Sequence, residues 1–279
     1  MNRRIDLLGR AGRNQERTAV LGGIGNLGSK IAHCLAKQSF GKLILIDCDR
    51  VEYENIGYQE YEQHDIGRSK VEALEKHLKQ AYPWVNVESY NMYVANLGGF
   101  ILSEDELEKQ DLQLRKIFSE CDCVISSFDR AGPRLTMLMY ALIYDKPIIF
   151  ASAWSSKSPE NGLSHAGRIN VWKPGLPCPL CYTRFQISED DGGLYVAHPL
   201  IDNIVSSLSA FLAEAILWGQ LVYPYITIDL NEENNMLRAD YYGGKPSEDC
   251  LCQKKNDLIN ILVARGLPGL LEIIEEAIE

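Results

Sequence analysis

A glycine-rich run near the N-terminus has the composition and spacing of a phosphate-binding loop. The run reads GGIGNLGS from Gly22 to Ser29, and Gly23, Gly25 and Gly28 form a GxGxxG pattern within it. It follows TAVLGG, which is typical of a short buried strand, and it opens a segment with helical apolar spacing. Without side chains, backbone N–H groups and the helix N-terminus can approach a phosphate. We therefore predict a nucleotide site at this loop.

A carboxylate and a lysine further along the chain extend this site. Asp47 ends the apolar run that begins at Lys42, 19 residues beyond Gly28, where it can accept hydrogen bonds from ribose hydroxyls. NAD and ATP are both compatible with this much of the pattern. The segments DCDRVEYENIGYQ, which ends at Gln59, and DIGRSK, which ends at Lys70, add polar groups that a dinucleotide does not need. They favour ATP.

The cysteines indicate a metal site. Eight cysteines in 279 residues are too few for a disulfide scaffold, and four of them form two tight pairs. The C-x-x-C spacing of Cys178 and Cys181 lets two thiolates bind one tetrahedral ion, and a second pair can complete a closed structural zinc site. That pair, Cys250 and Cys252, has one residue fewer between its members and predicts a strained site or one with three cysteine ligands. Four reduced core cysteines without metal are the alternative.

Composition excludes several classes of function. The chain is 46% hydrophobic with a formal charge of −10, which argues against a broad surface for nucleic acid or anionic lipid. The N-terminal segment MNRRIDLLGRAGRNQERT lacks the apolar run of a signal peptide, and no later stretch reaches the roughly 18 apolar residues of a membrane span. We expect a cytoplasmic protein that binds neither membrane nor nucleic acid.

The elements that must position these residues alternate between strand and helix through the first half of the chain. This alternation predicts an α/β fold with a Rossmann-like, doubly wound and mostly parallel sheet. Beyond Trp154 the pattern changes to a zinc-bearing, partly antiparallel C-terminal extension. A long apolar helix over residues 198–220 is predicted either in the core or against a partner subunit, in which case the protein is a homodimer.

Together these motifs resemble the ubiquitin-activating-enzyme-like superfamily, which includes the sulfur-carrier adenylyltransferases of the molybdopterin-synthase and thiamine pathways. The shared pattern is GxGxxG, then D-x-D-x-V-x-x-x-N-x-x-R-Q, then G-x-x-K, and it covers about residues 18 to 252. The resemblance implies an adenylyltransferase that uses ATP and magnesium to activate the C-terminal glycine of a small ubiquitin-like or sulfur-carrier protein, with release of pyrophosphate. The same scaffold in relatives also activates peptide termini or a modified tRNA base, and the acidic charge makes the tRNA base the least favoured substrate.

The resemblance also implies a role for each matching residue. Asp129, in ISSFDR, matches the aspartate near magnesium, and Arg130 follows it. Zinc is implied at the four cysteines. The nucleotide is implied to lie against Gly23, Gly25, Asn26 and Gly28 at the phosphates, Asp47 at the ribose, the polar positions Asp49, Asn55 and Gln59, and Lys70 at the triphosphate.

One position departs from the family pattern. Where the family has arginine in N-x-x-R-Q, this chain has Tyr58, so a neutral phenol replaces a permanent cation. Adenylation develops charge on the leaving pyrophosphate, which a positioned guanidinium stabilises. Arg130 and Arg134 follow Asp129 and are candidate replacements. We favour Arg13 or Arg17 of a partner subunit, because an N-terminal arginine reaches across the dimer in the resembled family.

Three further expectations concern mechanism and organisation. Thioester-forming relatives carry a nucleophile in the loop that corresponds to residues 182–198, where this chain has no cysteine, so we expect no enzyme-bound thioester. A catalytically weak or inactive scaffold that binds nucleotide or a ubiquitin-like protein is the main alternative, favoured by Tyr58. An NAD-dependent oxidoreductase is a weaker one, because it gives Lys70, Asp129 and the cysteine pairs no role.

The expected regions are an N-terminal arm (1–17), an ATP-binding region (18–153), a partner-binding and zinc region (154–252) and a C-terminal helical tail (253–279).

Overall fold

One continuous sheet runs through the computed structural model, which describes residues 11–94, 102–158, 162–182, 197–231 and 236–278. The sheet has eight strands in the order β3-β2-β1-β4-β5-β6-β7-β8. The strands are β1 (Thr18–Gly22), β2 (Lys42–Asp47), β3 (Asn86–Asn91), β4 (Cys123–Ser126), β5 (Ile148–Ser158), β6 (Gly162–Trp172), β7 (Tyr225–Asn231) and β8 (Met236–Tyr242).

The strand order creates a switch point in the middle of the sheet. Strands β1 to β5 pair in parallel, whereas β6, β7 and β8 continue the same sheet in antiparallel register. From β1 the chain winds outward through β2 and β3 and then returns to place β4 on the other side of β1. A crevice at the carboxyl ends of β1 and β4 is the expected ligand site of such a fold. The predicted α/β class, with its antiparallel extension, is confirmed.

Helices cover both faces of the sheet. One face packs against α2, α3 and α7, and the other packs against α4, α5 and α8. The helices in chain order are α1 (Ala11–Asn14), α2 (Asn26–Lys37), α3 (Lys70–Ala81), α4 (Glu104–Glu120), α5 (Ala131–Ile143), α6 (Pro179–Tyr182), α7 (Pro199–Leu217) and α8 (Lys255–Ile278). The sheet therefore separates two hydrophobic cores, one on each face.

Local sequence accounts for these elements. Successive residues of β1 point to opposite faces, so Ala19 and Leu21 belong to one core while Val20 belongs to the other. Helix α4 begins with a capping box, in which Ser103 Oγ accepts from the Glu106 N–H and the Glu106 carboxylate accepts from the Ser103 N–H. These signals fix where the elements begin and which face each one buries.

The apolar helix predicted over residues 198–220 is α7. It is the one helix among the described residues that is long and apolar enough to span a membrane by composition. It packs instead on α2 and on the sheet, with Ile201, Val205 and Ala213 fully buried. Leu200 and Phe211 remain 43% and 45% exposed. The helix therefore belongs to the core and presents a few apolar side chains on its outer side.

Two predicted boundaries fall inside or beside observed elements. Strand β5 runs from Ile148 to Ser158, across the expected boundary at 153/154, and continues the sheet without a break. The C-terminal region is helical, as α8, which kinks at Gly266 (φ 62°), two residues before Pro268. Residues 1–10 of the expected N-terminal arm lie outside the described residues. The division of the chain into regions stays a prediction.

Candidate functional site

The glycine-rich loop lies at the carboxyl edge of the sheet, between β1 and α2. Gly25 is the N-cap of α2 and carries no side-chain cap, and the first bond of the helix runs from the Ser29 N–H to the Gly25 carbonyl at 3.0 Å. The earlier N–H groups of this turn thus have no acceptor within the helix. A Cβ on Gly25 would meet nothing within 4 Å, so the space beside this first residue of the turn is open. The arrangement suits a bound phosphate.

The other two glycines of the pattern hold the loop together. Gly23 has φ +75°, and a Cβ there would lie 2.8 Å from the Phe128 amide nitrogen. A Cβ on Gly28 would lie 2.0 Å from the Gly23 carbonyl oxygen, which also accepts a hydrogen bond from Ser127 Oγ at 2.6 Å. Close packing of the loop against the end of β4 therefore requires glycine at both positions. Direct phosphate contact by these two residues remains a prediction.

Asp47, Asp49 and Lys70 lie together beside the loop. The Asp47 carboxylate is buried and accepts hydrogen bonds from the Ile24 N–H at 2.8 Å and the Asp49 N–H at 2.9 Å. Burial raises the pKa of Asp47, while these two amides and the charge of Lys70 oppose the rise. Lys70 opens α3, is 7% exposed, and donates from Nζ to Asp49 Oδ2 at 2.9 Å. A nearly buried cation and a buried carboxylate thus flank the phosphate cradle.

Tyr58 lies in a polar cluster with residues from α2 and α7. Its phenol hydrogen-bonds to Asp202, which also accepts from Asn26 Nδ2 at 2.6 Å. Lys30 Nζ lies 5.4 Å from the Tyr58 ring centroid and donates to the Tyr58 carbonyl at 2.7 Å. Burial, together with the charge of Asp202, raises the pKa of Tyr58, and burial lowers the pKa of Lys30. Lys30 therefore contacts Tyr58, which stands at the position where the resembled family has arginine.

The two remaining polar positions after β2 have different surroundings. Asn55 closes a 3-10 turn (Tyr53–Asn55), where its Oδ1 accepts from the Glu52 N–H at 2.9 Å. Gln59 donates its backbone N–H to the Asn55 carbonyl at 2.9 Å, and its side-chain Oε1 is buried without a hydrogen-bond partner among the described residues. The side-chain oxygen of Asn55 is thus used within the turn, whereas Oε1 of Gln59 has no hydrogen-bond donor among the described residues.

Asp129 and Arg130 follow β4 at the same edge of the sheet. Both are exposed, and Arg130 is the N-cap residue of α5. The nearby Ser127 anchors this loop to the glycine loop, because its N–H donates to the Gly22 carbonyl at 2.8 Å. Asp129 is therefore held close to the switch point with its carboxylate open to solvent. An exposed oxygen ligand in this place fits a magnesium ion bound beside phosphates.

Two arginines near Asp129 form no direct ion pair with a described carboxylate, although Asp129 acts on Arg134 and Asp229 acts on Arg168 at longer range. Arg134 stacks on the Phe150 ring at 5.6 Å, and Arg168 lies over Trp154 at 5.2 Å. The Nε atom of each arginine is buried and makes no hydrogen bond within the described ranges. Burial, together with the charge of Arg168, lowers the pKa of Arg134 to about 10, and Asp129 partly offsets this shift. This pair places two positive charges next to each other, an arrangement that can bind an anion.

The N-terminal arginines occupy other places in this subunit. Arg17 forms an ion pair with Asp122 at 2.8 Å, at the amino end of β1 and so at the opposite edge of the sheet from the loop. Arg13 lies over the Trp218 ring at 5.4 Å, beside the end of α7. Neither residue reaches the loop of its own chain. Their predicted action on a partner subunit's site stays a prediction.

The four predicted cysteine ligands converge on one point. Sγ–Sγ distances are 3.4 Å for Cys178 and Cys250 and 3.6 Å for Cys181 and Cys252, and all four sulfurs lie within 4.8 Å of one another. A tetrahedral zinc with Zn–S near 2.3 Å requires sulfurs about 3.8 Å apart. Hydrogen bonds from Cys178 and Cys250 lower the pKa of Cys252, which favours a thiolate. The cluster can therefore bind zinc with four cysteine ligands, and the shorter C-x-C spacing does not exclude Cys252.

Sequence reasoning missed three residues of this site. Lys30 belongs to an otherwise ordinary amphipathic helix, and Asp202 stands 144 residues after Tyr58. Arg168 looks in the sequence like any polar residue of a half-exposed strand. The signal that identifies them is three-dimensional, because α7 packs on α2 and β6 pairs with β5 only in the folded chain. Of the loop 182–198, which corresponds to the one that carries the nucleophile in thioester-forming relatives, residues 183–196 lie outside the described residues.

Comparison with solved structures supports the fold. The crystal structure of E. coli MccB with ATP superposes with a TM-score of 0.66 at 17% identity, covering 87% of this chain and 68% of that one. The crystal structure of PaaA gives a TM-score of 0.62 at 18% identity, with 87% of this chain and 72% of that chain covered.

Sequence comparison identifies relatives and a family. The ubiquitin-like modifier-activating enzyme 5 of Caenorhabditis elegans is 31% identical over 172 residues, which cover 62% of this chain and 38% of the relative. The enzyme of the same name from Xenopus laevis is 34% identical over 159 residues, 57% of this chain and 37% of the relative. The matched segment thus spans less than half of either relative. The ThiF family model matches residues 2–256, so the chain belongs to the ThiF family.

Proposed function

We propose that this chain is an adenylyltransferase that uses ATP and magnesium to activate the C-terminal carboxylate of a small ubiquitin-like or sulfur-carrier protein. One observation carries the proposal: the open first turn of α2, buried Asp47, nearly buried Lys70 and exposed Asp129 all surround the switch point of the sheet. A ribose, a triphosphate and a divalent ion each find a matching group there.

The reaction sets the demands on these groups. A carboxylate oxygen of the substrate attacks the α-phosphorus of ATP, the bond from that phosphorus to the bridging oxygen breaks, and pyrophosphate leaves with the bond's electrons. The substrate carboxylate is already ionised at neutral pH, so no general base is required. The enzyme must instead hold two anions together and stabilise the growing charge on pyrophosphate.

The described residues offer cations for this task. Lys70 is bound to Asp49 in the structure and is released to a phosphate when one arrives, because a triphosphate is the more highly charged partner. Lys30 lies at the start of α2, against the phenol that stands in the place of the family's arginine. We propose that Lys30 supplies part of the missing charge within the subunit, alongside Arg13 or Arg17 from a partner subunit.

Asp129 would hold magnesium, and the observed residues fit this role. Its carboxylate is exposed at the carboxyl edge, and the loop that carries it is tied to the glycine loop through Ser127. Magnesium bound there would neutralise phosphate charge, as a hard cation with oxygen ligands does. What the chain itself contributes is the fixed position of this carboxylate.

The substrate's C-terminus is proposed to lie toward Arg134 and Arg168. Two guanidiniums that form no direct ion pair in the described part of the chain attract a carboxylate, and the aromatic rings beside them hold their planes in place. Support for a protein substrate comes from the relatives named as ubiquitin-like modifier-activating enzymes. MccB, whose solved structures include one with ATP and others with MccA, supports a nucleotide and a second ligand in this fold.

Several finer features belong to the same proposal. We propose a homodimer in the cytoplasm, a structural zinc at the cysteine cluster, and direct transfer of the activated acyl group without an enzyme-bound thioester. The absence of any cysteine between Cys181 and Cys250 supports the last point. Light scattering tests the dimer, for which a mass of twice the 31.4 kDa chain is expected.

Pyrophosphate exchange into ATP tests the proposed activity. Candidate ubiquitin-like and sulfur-carrier proteins that end in glycine should each be assayed with the wild-type protein, with Asp129→Asn and with Asp145→Asn. Asp145 is an exposed carboxylate paired with Lys255 far from the loop, and it serves as the matched control. We expect carrier-dependent exchange in the wild type and the control and its loss in Asp129→Asn. Equal exchange in all three proteins would refute the assignment of Asp129.

Two other functions remain to be distinguished by the same assay. A scaffold that binds nucleotide or a ubiquitin-like protein without turnover is favoured by the Tyr58 phenol, which bonds to Asp202 and carries no charge. It would bind ATP and carrier but show no exchange. Activation of a peptide C-terminus instead predicts exchange with a free peptide and none with any folded carrier.

A further inference from the structure

Two histidines and a buried aspartate form a cluster where the segment between β2 and α3 packs against α3. His64 and Asp65 lie in a 3-10 turn (Gln63–Asp65), and His77 lies two helical turns into α3. Asp65 is fully buried; its Oδ2 accepts from the Glu62 N–H at 3.0 Å, whereas its Oδ1 has no hydrogen-bond partner among the described residues. The proposed reaction uses none of these three side chains.

In both histidines the Nδ1 atom faces an oxygen acceptor. The His64 Nδ1 lies 3.2 Å from the Glu62 carboxylate, and the His77 Nδ1 lies 3.3 Å from the Glu60 carbonyl oxygen. Each Nδ1 therefore has an acceptor for a proton, and in the neutral tautomer that places the proton there each Nε2 presents a lone pair. In metal sites, a histidine that binds the ion through one ring nitrogen commonly donates a hydrogen bond from the other to a carboxylate or carbonyl oxygen.

The two Nε2 atoms face the buried carboxylate. His77 Nε2 is 3.0 Å from Asp65 Oδ2 and makes no hydrogen bond with any described group, and His64 Nε2 is 3.4 Å from Asp65 Oδ1. In the neutral Nδ1-protonated tautomers these groups are three acceptors that repel one another, and the fully buried carboxylate has no solvent to offset this. A cation between them removes the conflict.

We propose that His64, Asp65 and His77 form a second metal site, specific for zinc or a similar transition-metal ion. A tetrahedral zinc with bonds of 2.0–2.1 Å places neighbouring ligand atoms about 3.3 Å apart. The observed distances from His77 Nε2 to Asp65 Oδ2 (3.0 Å) and from His64 Nε2 to Asp65 Oδ1 (3.4 Å) are of this size and involve the two oxygens of one carboxylate. The three ligand atoms lie within 4.8 Å of one another. Two imidazoles and one carboxylate suit zinc, copper or nickel better than magnesium or calcium. The half-exposed His64 side chain leaves a fourth position open to water.

The site would add a link between the loop after β2 and α3, which also pack together in the hydrophobic core. His64 and Asp65 belong to the loop after β2, and His77 belongs to α3, the helix that begins at Lys70. A metal ion held by all three fixes the loop onto the helix. Its occupancy would therefore stabilise the folded chain in proportion to the concentration of free metal.

Zinc titration of the zinc-replete protein tests the proposal, with the cysteine cluster filled beforehand. Calorimetry should show one further equivalent in the wild type, lost in His77→Gln and in His64→Gln. His33→Gln is the matched control, since His33 contacts Tyr82 and lies outside the cluster. Added zinc should raise the melting temperature of the wild type and the control by several degrees and leave the two cluster variants unmoved.

Cobalt binding to the wild type gives a second measurement that needs no variant. A cobalt ion at imidazole and carboxylate ligands shows visible ligand-field bands without the sulfur charge-transfer band of the cysteine cluster. An extra equivalent with sulfur-free bands supports the site. The proposal is overturned if the wild type binds no further equivalent, or if the extra equivalent persists in both histidine variants.

Discussion

At the scale of single residues, Tyr58 stands where the resembled family has arginine, and charged side chains surround it. The phenol bonds to Asp202, and Lys30 lies against its ring with Nζ on its carbonyl. Lys30 is partly desolvated there, so its charge is screened less by water than that of an exposed lysine. The structure thus offers a cation within the subunit where the sequence alone suggested only arginines.

Lys30→Met should lower carrier-dependent pyrophosphate exchange by about 100-fold, the usual loss when one group that stabilises transition-state charge is removed. ATP affinity should change only a few-fold, because Lys70 and the loop amides remain. Lys37→Met, at the exposed end of the same helix, is the control and should match the wild type. An exchange rate for Lys30→Met within twofold of the wild type would show that Lys30 has no part in the chemistry.

At the scale of elements, the strand–glycine loop–helix unit was predictable because all of its determinants are local. Apolar runs fix β1 and β2, the glycine spacing fixes the turn, and Asp47 follows from its place at the end of a strand. The polar cluster of Tyr58, Asp202 and Lys30 was not predictable, since it forms only when α7 packs on α2. The ion pair of Arg17 with Asp122 likewise depends on the pairing of β1 with β4.

Two glycines of one loop should respond differently to the same substitution. In Gly28→Ala the new methyl group would lie 2.0 Å from the Gly23 carbonyl oxygen, so the loop must move, at a cost of about 1–3 kcal/mol of unfolding free energy. In Gly25→Ala the methyl group meets no atom within 4 Å, so stability falls less while the phosphate space is filled. Urea unfolding and ATP titration of both variants measure this contrast. The opposite order of stability would contradict the assigned packing.

At the scale of the whole molecule, the cysteine cluster connects regions that are distant in sequence. It joins α6, after β6, to the turn that precedes α8, and α8 packs against α4 and α5. The fold class and the cluster were both predictable, because strand–helix alternation and cysteine spacing are sequence properties. The position of α8 was not, since only its apolar periodicity marks it as a packed helix.

Cys252→Ser should remove the zinc equivalent of this cluster and lower the melting temperature by several degrees, because α8 loses its anchor. Cys48→Ser is the matched control, since Cys48 is exposed and lies outside the cluster. Elemental analysis and thermal unfolding of the two variants provide the readout. Unchanged zinc content in Cys252→Ser would mean that this cysteine is not a ligand.

The most direct test of the central claim follows an oxygen atom. A candidate carrier labelled with ¹⁸O in both oxygens of its C-terminal carboxylate is incubated with ATP, magnesium and the protein, and the acyl group is then transferred to hydroxylamine. If the carboxylate attacks the α-phosphorus of ATP, the released AMP carries one ¹⁸O atom, and Asp129→Asn produces none above background. AMP without ¹⁸O from an active preparation, or unlabelled ADP together with ¹⁸O-labelled inorganic phosphate, would contradict the proposed adenylation.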